Sequence, residues 1–82
     1  MKFTAYKTNG CFYCTQLDKL FERANIKYES ILVGDDIEKE EFLKTYPDMK
    51  GYPLVIVDGI PIGGLVETAK FMLDHGLVRR EK

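Results

Sequence analysis

Two cysteines three residues apart, Cys11-Phe12-Tyr13-Cys14, stand where the hydrophobic pattern of the chain changes from alternation to a helical repeat. Before them, Lys2 to Lys7 reads as a strand, with Phe3 and Ala5 on one face and Thr4 and Tyr6 on the other. Thr8-Asn9-Gly10 is a turn cluster. After it, a helix of roughly Phe12 to Ala24 places Leu17, Leu20, Phe21 and Ala24 at helical spacing, while Gln16, Asp18, Lys19, Glu22 and Arg23 face water. Asn25 marks its end. The cysteine pair therefore opens a helix that follows a strand.

The rest of the chain repeats this theme and then changes it. Lys27 to Val33 is a second strand. Gly34-Asp35-Asp36 restarts the chain, and Asp35 with Glu38 has the spacing of a capping box for a charged helix that buries Phe42, Leu43 and Tyr46. Pro47 stops it, because the residue before proline is pushed out of the helical region. Leu54 to Val57 is a buried strand, and Asp58-Gly59 between apolar runs signals a type I′ hairpin. Ile60-Pro61-Ile62 returns as a short strand, which Pro61 confines to a sheet edge because it has no N–H to donate. Gly63-Gly64 opens a last helix with Leu65, Ala69, Met72 and Leu73 inward and Gly76 at its C-terminal end. The order βαβαββα predicts an α/β fold: a four-stranded mixed sheet with helices on both faces.

At 82 residues the chain is expected to form one domain over 1–82, with a thin core and chemistry at a shallow surface groove. A cavity of ~300 Å³ or more enclosing a large organic cofactor is not expected. The net charge of −1, with both signs interspersed, argues against a nucleic-acid binder and a polybasic membrane anchor. The N-terminus lacks the apolar segment of a signal peptide, and Leu54–Val57 is too short to span a bilayer. Two cysteines do not make a disulfide framework, so a reducing, cytoplasmic setting is the expectation. The tail Arg79-Arg80-Glu81-Lys82 reads as a solvated end, and His75 as a surface residue near a helix C-terminus.

On the first turn of a helix, Cys11 and Cys14 fall within the span a disulfide tolerates. Cys14 sits above the apolar stripe of Leu17 and Phe21 and should be buried. Cys11 lies at the helix N-terminus, where unpaired N–H groups and the macrodipole stabilise an anion. Cys11 is then the nucleophile and Cys14 the resolving thiol. A more acidic Cys11 gains thiolate but loses intrinsic nucleophilicity, leaving only about a two- or threefold advantage in attack. The larger benefit is that its sulfur becomes a good leaving group, which favours turnover. Plainer readings compete: a structural disulfide, two inert core thiols, or half of a metal site. Zinc would need four ligands, and only Cys11, Cys14 and the distant His75 are available per chain, so no metal ligands are assigned.

Across nearly its whole length the chain resembles the glutaredoxins. The carriers are Cys11-Phe12-Tyr13-Cys14 after the first strand, Tyr52-Pro53 before the third and Gly63-Gly64 after the fourth. The resemblance implies a thioredoxin-like fold, a cis Pro53 facing the cysteines, and glutathione-dependent reduction of protein disulfides and glutathione mixed disulfides. Sequence physics alone does not choose Pro53 over Pro47 or Pro61. Glutathione is then a co-substrate, no cofactor is held permanently, and the protein works as a monomer on disulfide-containing proteins. The implied glutathione contacts are Lys7, Tyr13, Tyr52, Pro53, Gly64, Leu65 and Val66. Tyr52 would offer its main chain to an extended cysteinyl substrate, and Gly64 a free helix-start N–H to a carboxylate.

The chain departs from the family pattern at several places. Phe12 replaces the usual proline, Thr8 stands where the family often has Lys or Arg, and Gly51-Tyr52 replaces Thr-Val. Where the family often has an Asp that holds the glutathione amino group this chain has Leu65-Val66-Glu67, so either Glu67 substitutes, with Thr68 a further candidate, or the contact is missing. Two rival readings follow. One is a thioredoxin-like donor recycled by a flavoprotein reductase, like those serving ribonucleotide reductase. The other is a carrier in which two chains and two glutathiones hold one [2Fe-2S] cluster through Cys11.

Overall fold

The computed structural model describes residues 1–49 and 51–77. Its elements, in chain order, are β1 (Phe3–Lys7), α1 (Phe12–Arg23), β2 (Tyr28–Leu32), α2 (Lys39–Thr45), β3 (Leu54–Val57), β4 (Ile60–Gly63) and α3 (Leu65–Asp74). The strands form one sheet in the order β2-β1-β3-β4, with β1 parallel to β2 and antiparallel to β3, and β4 antiparallel to β3. This is the mixed four-stranded sheet the element order predicts. The charged tail lies outside the described residues.

Strand parity divides the core in two. Phe3 and Ala5 of β1 and Val55 and Val57 of β3 point to one face, where they pack with Leu17 and Phe21 of α1 and Met72 of α3. Leu54 and Ile56 point to the other face and meet Phe42 of α2, with Tyr6, Tyr46 and Tyr52 packed around them. Because helices cover both faces, all four β3 residues are buried and the strand reads as a continuous apolar run rather than an alternation.

The turns follow their local chemistry. Asp58 and Gly59 both take positive φ (50° and 84°), as a type I′ turn requires. Pro61 lies on β4, an edge strand. Asn25 (φ 56°) closes α1 in the left-handed conformation, and the Ile26 N–H returns to the Phe21 carbonyl at 2.9 Å. Gly76 does the same for α3, with the Leu77 N–H donating to the Met72 carbonyl at 2.8 Å.

Three local expectations are corrected. The Asp35–Glu38 capping box does not form. The Asp36 carboxylate instead accepts the Leu32 N–H at 2.9 Å, holding a turn after β2, and α2 starts only at Lys39. Leu43 is exposed, because a seven-residue helix beside one sheet face buries a single position, Phe42, completely. Leu73 is exposed as well; the buried stripe of α3 runs through Thr68 and Met72.

Candidate active site: a dithiol at the head of a helix

Cys11 is the N-cap of α1. Its backbone is extended (φ −89°, ψ 112°), and its Sγ accepts the Cys14 N–H at 3.1 Å, satisfying one of the unpaired donors of the first turn. The two cysteines are joined as a disulfide, with Cα atoms 5.2 Å apart, as the first-turn spacing predicts. Cys14 is only 4% exposed, whereas Cys11 is half-buried, so an incoming group meets Cys11 first. Phe12 and Tyr13 stand out beside it, 68% and 59% exposed, in edge-to-face contact with each other.

A surface hollow of about 360 Å³ borders the pair, lined in part by Lys7, Gly10, Cys11, Cys14 and Asp18. Asp18 is one helical turn beyond Cys14 and shares its face of α1. The Lys7 ammonium, on a residue 9% exposed, donates to Asp18 Oδ1 and to the Tyr28 hydroxyl (2.9 Å), and that hydroxyl donates in turn to Asp18. Two of the three ammonium donors are thereby engaged. Burial alone would lower the Lys7 pKa, but the hydrogen bonds to Asp18 and Tyr28 outweigh it and the net shift is upward. Tyr28 is also raised, by burial first and by its bond to Asp18 second. Lys7 was an expected ligand contact; its pairing with Asp18 and Tyr28 was not foreseen. The signal was available, since Lys7 has the parity of Phe3 and Ala5 and so enters the core face of β1.

Sheet topology brings the second motif to the same end. Tyr6 of β1 pairs with Leu54 of β3, so Pro53, just before β3, lies at the strand end from which the chain leaves for Cys11. The Tyr52–Pro53 bond is cis, as expected. Pro53 is buried, and the Tyr52 ring stacks on Phe42 at 5.8 Å. Gly64, the N-cap of α3, approaches so closely that a Cβ there would lie 3.2 Å from the Pro53 carbonyl oxygen. Pro53, Gly63 and Gly64 share a groove of about 620 Å³ with Tyr46, Met49 and Tyr52. It is an open surface groove between the segment 45–54 and the β4–α3 junction, not an enclosed cavity.

Other expected residues are placed as follows. Leu65 is half-buried against the core and Val66 is exposed at the start of α3. The Gly64 N–H already has a partner, Glu67 Oε1, at 3.0 Å. Thr68 is fully buried, and its hydroxyl has no hydrogen-bond partner among the described residues. His75 is exposed and stacks on Phe71. Among the described residues, no three His, Cys, Asp or Glu side chains gather as a metal site, and no helix is long and apolar enough to cross a membrane.

A redox-active Cys-x-x-Cys at the start of a helix, with a cis-proline at the same end of the sheet, defines a thioredoxin-like dithiol domain. The family model described as glutaredoxin matches residues 3–62. The chain belongs to the glutaredoxin family. Glutaredoxin 3 of Danio rerio is 33% identical over 66 residues, which is 80% of this chain and 20% of that protein. The chain thus spans about a fifth of that relative's length. A solved buckwheat glutaredoxin–glutathione complex shares the fold, with a TM-score of 0.72 and 22% identity over 92% of this chain and 71% of that one. The glutaredoxin-like NrdH-redoxin of Escherichia coli, which has a thioredoxin-like activity profile, is 25% identical with a TM-score of 0.71, covering 89% of this chain and 95% of that one.

Proposed function

We propose that the chain is a glutathione-dependent thiol–disulfide oxidoreductase that reduces protein disulfides and glutathione mixed disulfides through Cys11 and Cys14. The observation that carries this reading is the asymmetry of the pair. Cys11 is reachable and has the Cys14 amide aimed at its sulfur; Cys14 is shielded and adjacent. In the reduced protein the Cys11 thiolate attacks a substrate disulfide. A Cys11–substrate disulfide forms and the other substrate sulfur leaves as a thiolate, which takes up a proton. Cys14, giving up its proton, then attacks Cys11 Sγ and releases the second substrate thiol. The substrate has gained two electrons, and the Cys11–Cys14 disulfide holds the oxidation. One glutathione thiolate attacks Cys11 and frees Cys14. A second attacks the glutathione sulfur, restoring the Cys11 thiolate and leaving oxidised glutathione.

Glutathione is supported as co-substrate by family membership and by Lys7, which lines the hollow and commits two of its three ammonium donors among the described residues. Tyr52 and Pro53 would align the peptide main chain of either substrate, and Tyr13 would pack against it. A second reading, recycling by a flavoprotein reductase, is favoured by the Glu67 carboxylate at the Gly64 N–H, where the first reading puts a glutathione carboxylate. Both readings share the thiol chemistry and differ in the source of electrons.

The test is reduction of a glutathione mixed disulfide coupled to glutathione reductase and NADPH, run beside a thioredoxin reductase assay. Glutathione-driven turnover is the expected result; turnover with the flavoprotein reductase alone would install the second reading. Cys11→Ser should abolish both. Cys14→Ser should accumulate a Cys11 mixed disulfide visible by intact mass, and a Cys11→Ser protein with full activity would refute the assignment.

A further inference from the structure

The start of α3 is occupied by the protein itself. Glu67 turns back over the preceding turn, and its Oε1 accepts the Gly64 N–H at 3.0 Å. The fit depends on Gly63, whose φ of 121° is in the glycine region and whose missing Cβ would lie 2.7 Å from Glu67 Cγ. With no side chain at position 63, Glu67 packs over Gly63 and lines the groove that also contains Pro53 and Gly64. An acidic side chain one methylene longer than aspartate can reach its own N-cap amide in this way.

We infer that Glu67 is a specificity-determining residue that closes the Gly64 amide to the carboxylate of a small thiol such as glutathione. The inference rests on the reading of this groove as the site where thiol substrates lie. One N–H cannot serve two carboxylates. A ligand carboxylate either displaces Glu67, losing a charge-assisted hydrogen bond, or forgoes Gly64 and sits beside a like charge. A disulfide within a polypeptide, docked through its main chain at Tyr52, brings no carboxylate to that place and meets neither cost. The same side chain therefore shifts preference from the free tripeptide toward protein-borne sulfur.

The test uses S-methylglutathione, which binds without thiol exchange, titrated into wild-type protein and the Glu67→Ala and Glu67→Gln variants while amide resonances are followed. Glu67→Ala frees the amide and removes the charge; Kd should fall about tenfold, the lower end for a charged hydrogen bond at an exposed site. Glu67→Gln keeps an acceptor of the same length without the charge, and Kd should fall about threefold, since a neutral acceptor is displaced more easily. The Gly64 resonance should move on titration in Glu67→Ala far more than in wild type. Unchanged or weaker binding by Glu67→Ala overturns the inference, weaker binding meaning that Glu67 holds the ligand. Should melting show that Glu67→Ala is unfolded, Glu67→Gln decides alone, and unchanged or weaker binding there overturns it. Dithiothreitol-driven insulin reduction by the wild-type protein is read separately; its absence would remove the redox reading and leave the binding result to judge Glu67.

Discussion

Removing Asp18 should harm the fold more than removing its partner Lys7. Lys7 is 9% exposed and enters from the core face of β1, whereas the Asp18 side chain is 44% exposed on α1. In Asp18→Ala the ammonium stays buried, with only the Tyr28 hydroxyl and the Tyr28 ring, 4.8 Å away, among the described residues to replace a carboxylate. Stranding one member of a fully buried pair costs about 3–5 kcal/mol, and partial access of water at Asp18 brings this to about 2 kcal/mol. Alanine returns a few tenths of that through helix propensity, leaving about 1.5 kcal/mol. In Lys7→Met the carboxylate left behind can turn to water and keeps the Tyr28 hydroxyl, so the cost should stay within about 0.5 kcal/mol. The Lys7→Met/Asp18→Ala double variant should then be more stable than Asp18→Ala alone, with a coupling of about 1 kcal/mol or more. Urea denaturation of the oxidised proteins reads these differences, with unchanged slopes confirming two-state comparison. On heating, Asp18→Ala should melt roughly 6–12 °C below wild type. A Lys7→Met loss equal to that of Asp18→Ala, or additive single effects, would refute the view that the buried ammonium is the member that needs its partner.

Two further outcomes follow from the same structure. Thr68→Val removes a fully buried hydroxyl that has no partner among the described residues while keeping its shape, so stability should rise by about 1 kcal/mol in the same urea assay. Tyr6, Lys7 and Tyr28 all have pKa values raised in the folded state, the tyrosines chiefly by burial and Lys7 because its hydrogen bonds outweigh burial. A raised pKa means that the folded state holds its proton more tightly. These groups therefore stabilise fully below their unfolded values, 10.0 for tyrosine and 10.5 for lysine, and the contribution is lost as pH climbs through the folded values. The midpoint in urea should be insensitive to these groups near neutrality and fall above about pH 10.

Much of the fold could be read from the residues because each element carries its own punctuation. Asn25, Pro47, Asp58-Gly59 and Gly76 mark boundaries that coincide with the structure within a residue or two. The Asp35–Glu38 reading failed because a spacing match does not say which backbone donor a carboxylate will find, and Asp36 met the Leu32 N–H first. Leu43 and Leu73 failed for another reason. A short helix on a narrow sheet has room for one buried stripe, and helical spacing alone does not reveal its width. The cysteine geometry was legible because it is local: cap, first turn and apolar stripe lie within eleven residues, Cys11 to Phe21. The Lys7–Asp18–Tyr28 cluster was not, because it joins three elements whose register only the folded sheet supplies. Gly64 lies between these cases. Its place at the start of α3 was evident, but a free amide was expected where Glu67 supplies an acceptor.

Pro61 on β4 has a consequence for concentrated solutions. A sheet whose two outer strands present open ladders can recruit further chains, and the first contact in such growth is a run of unpaired backbone donors. Pro61 interrupts that run on one side, and the register irregularity between Val55 and Ile56 bends the neighbouring ladder. On the other side β2 is only five residues long and carries Glu29 among its exposed positions. Neither margin is a flat template, which disfavours the addition of a fifth strand from another chain to the four-stranded sheet.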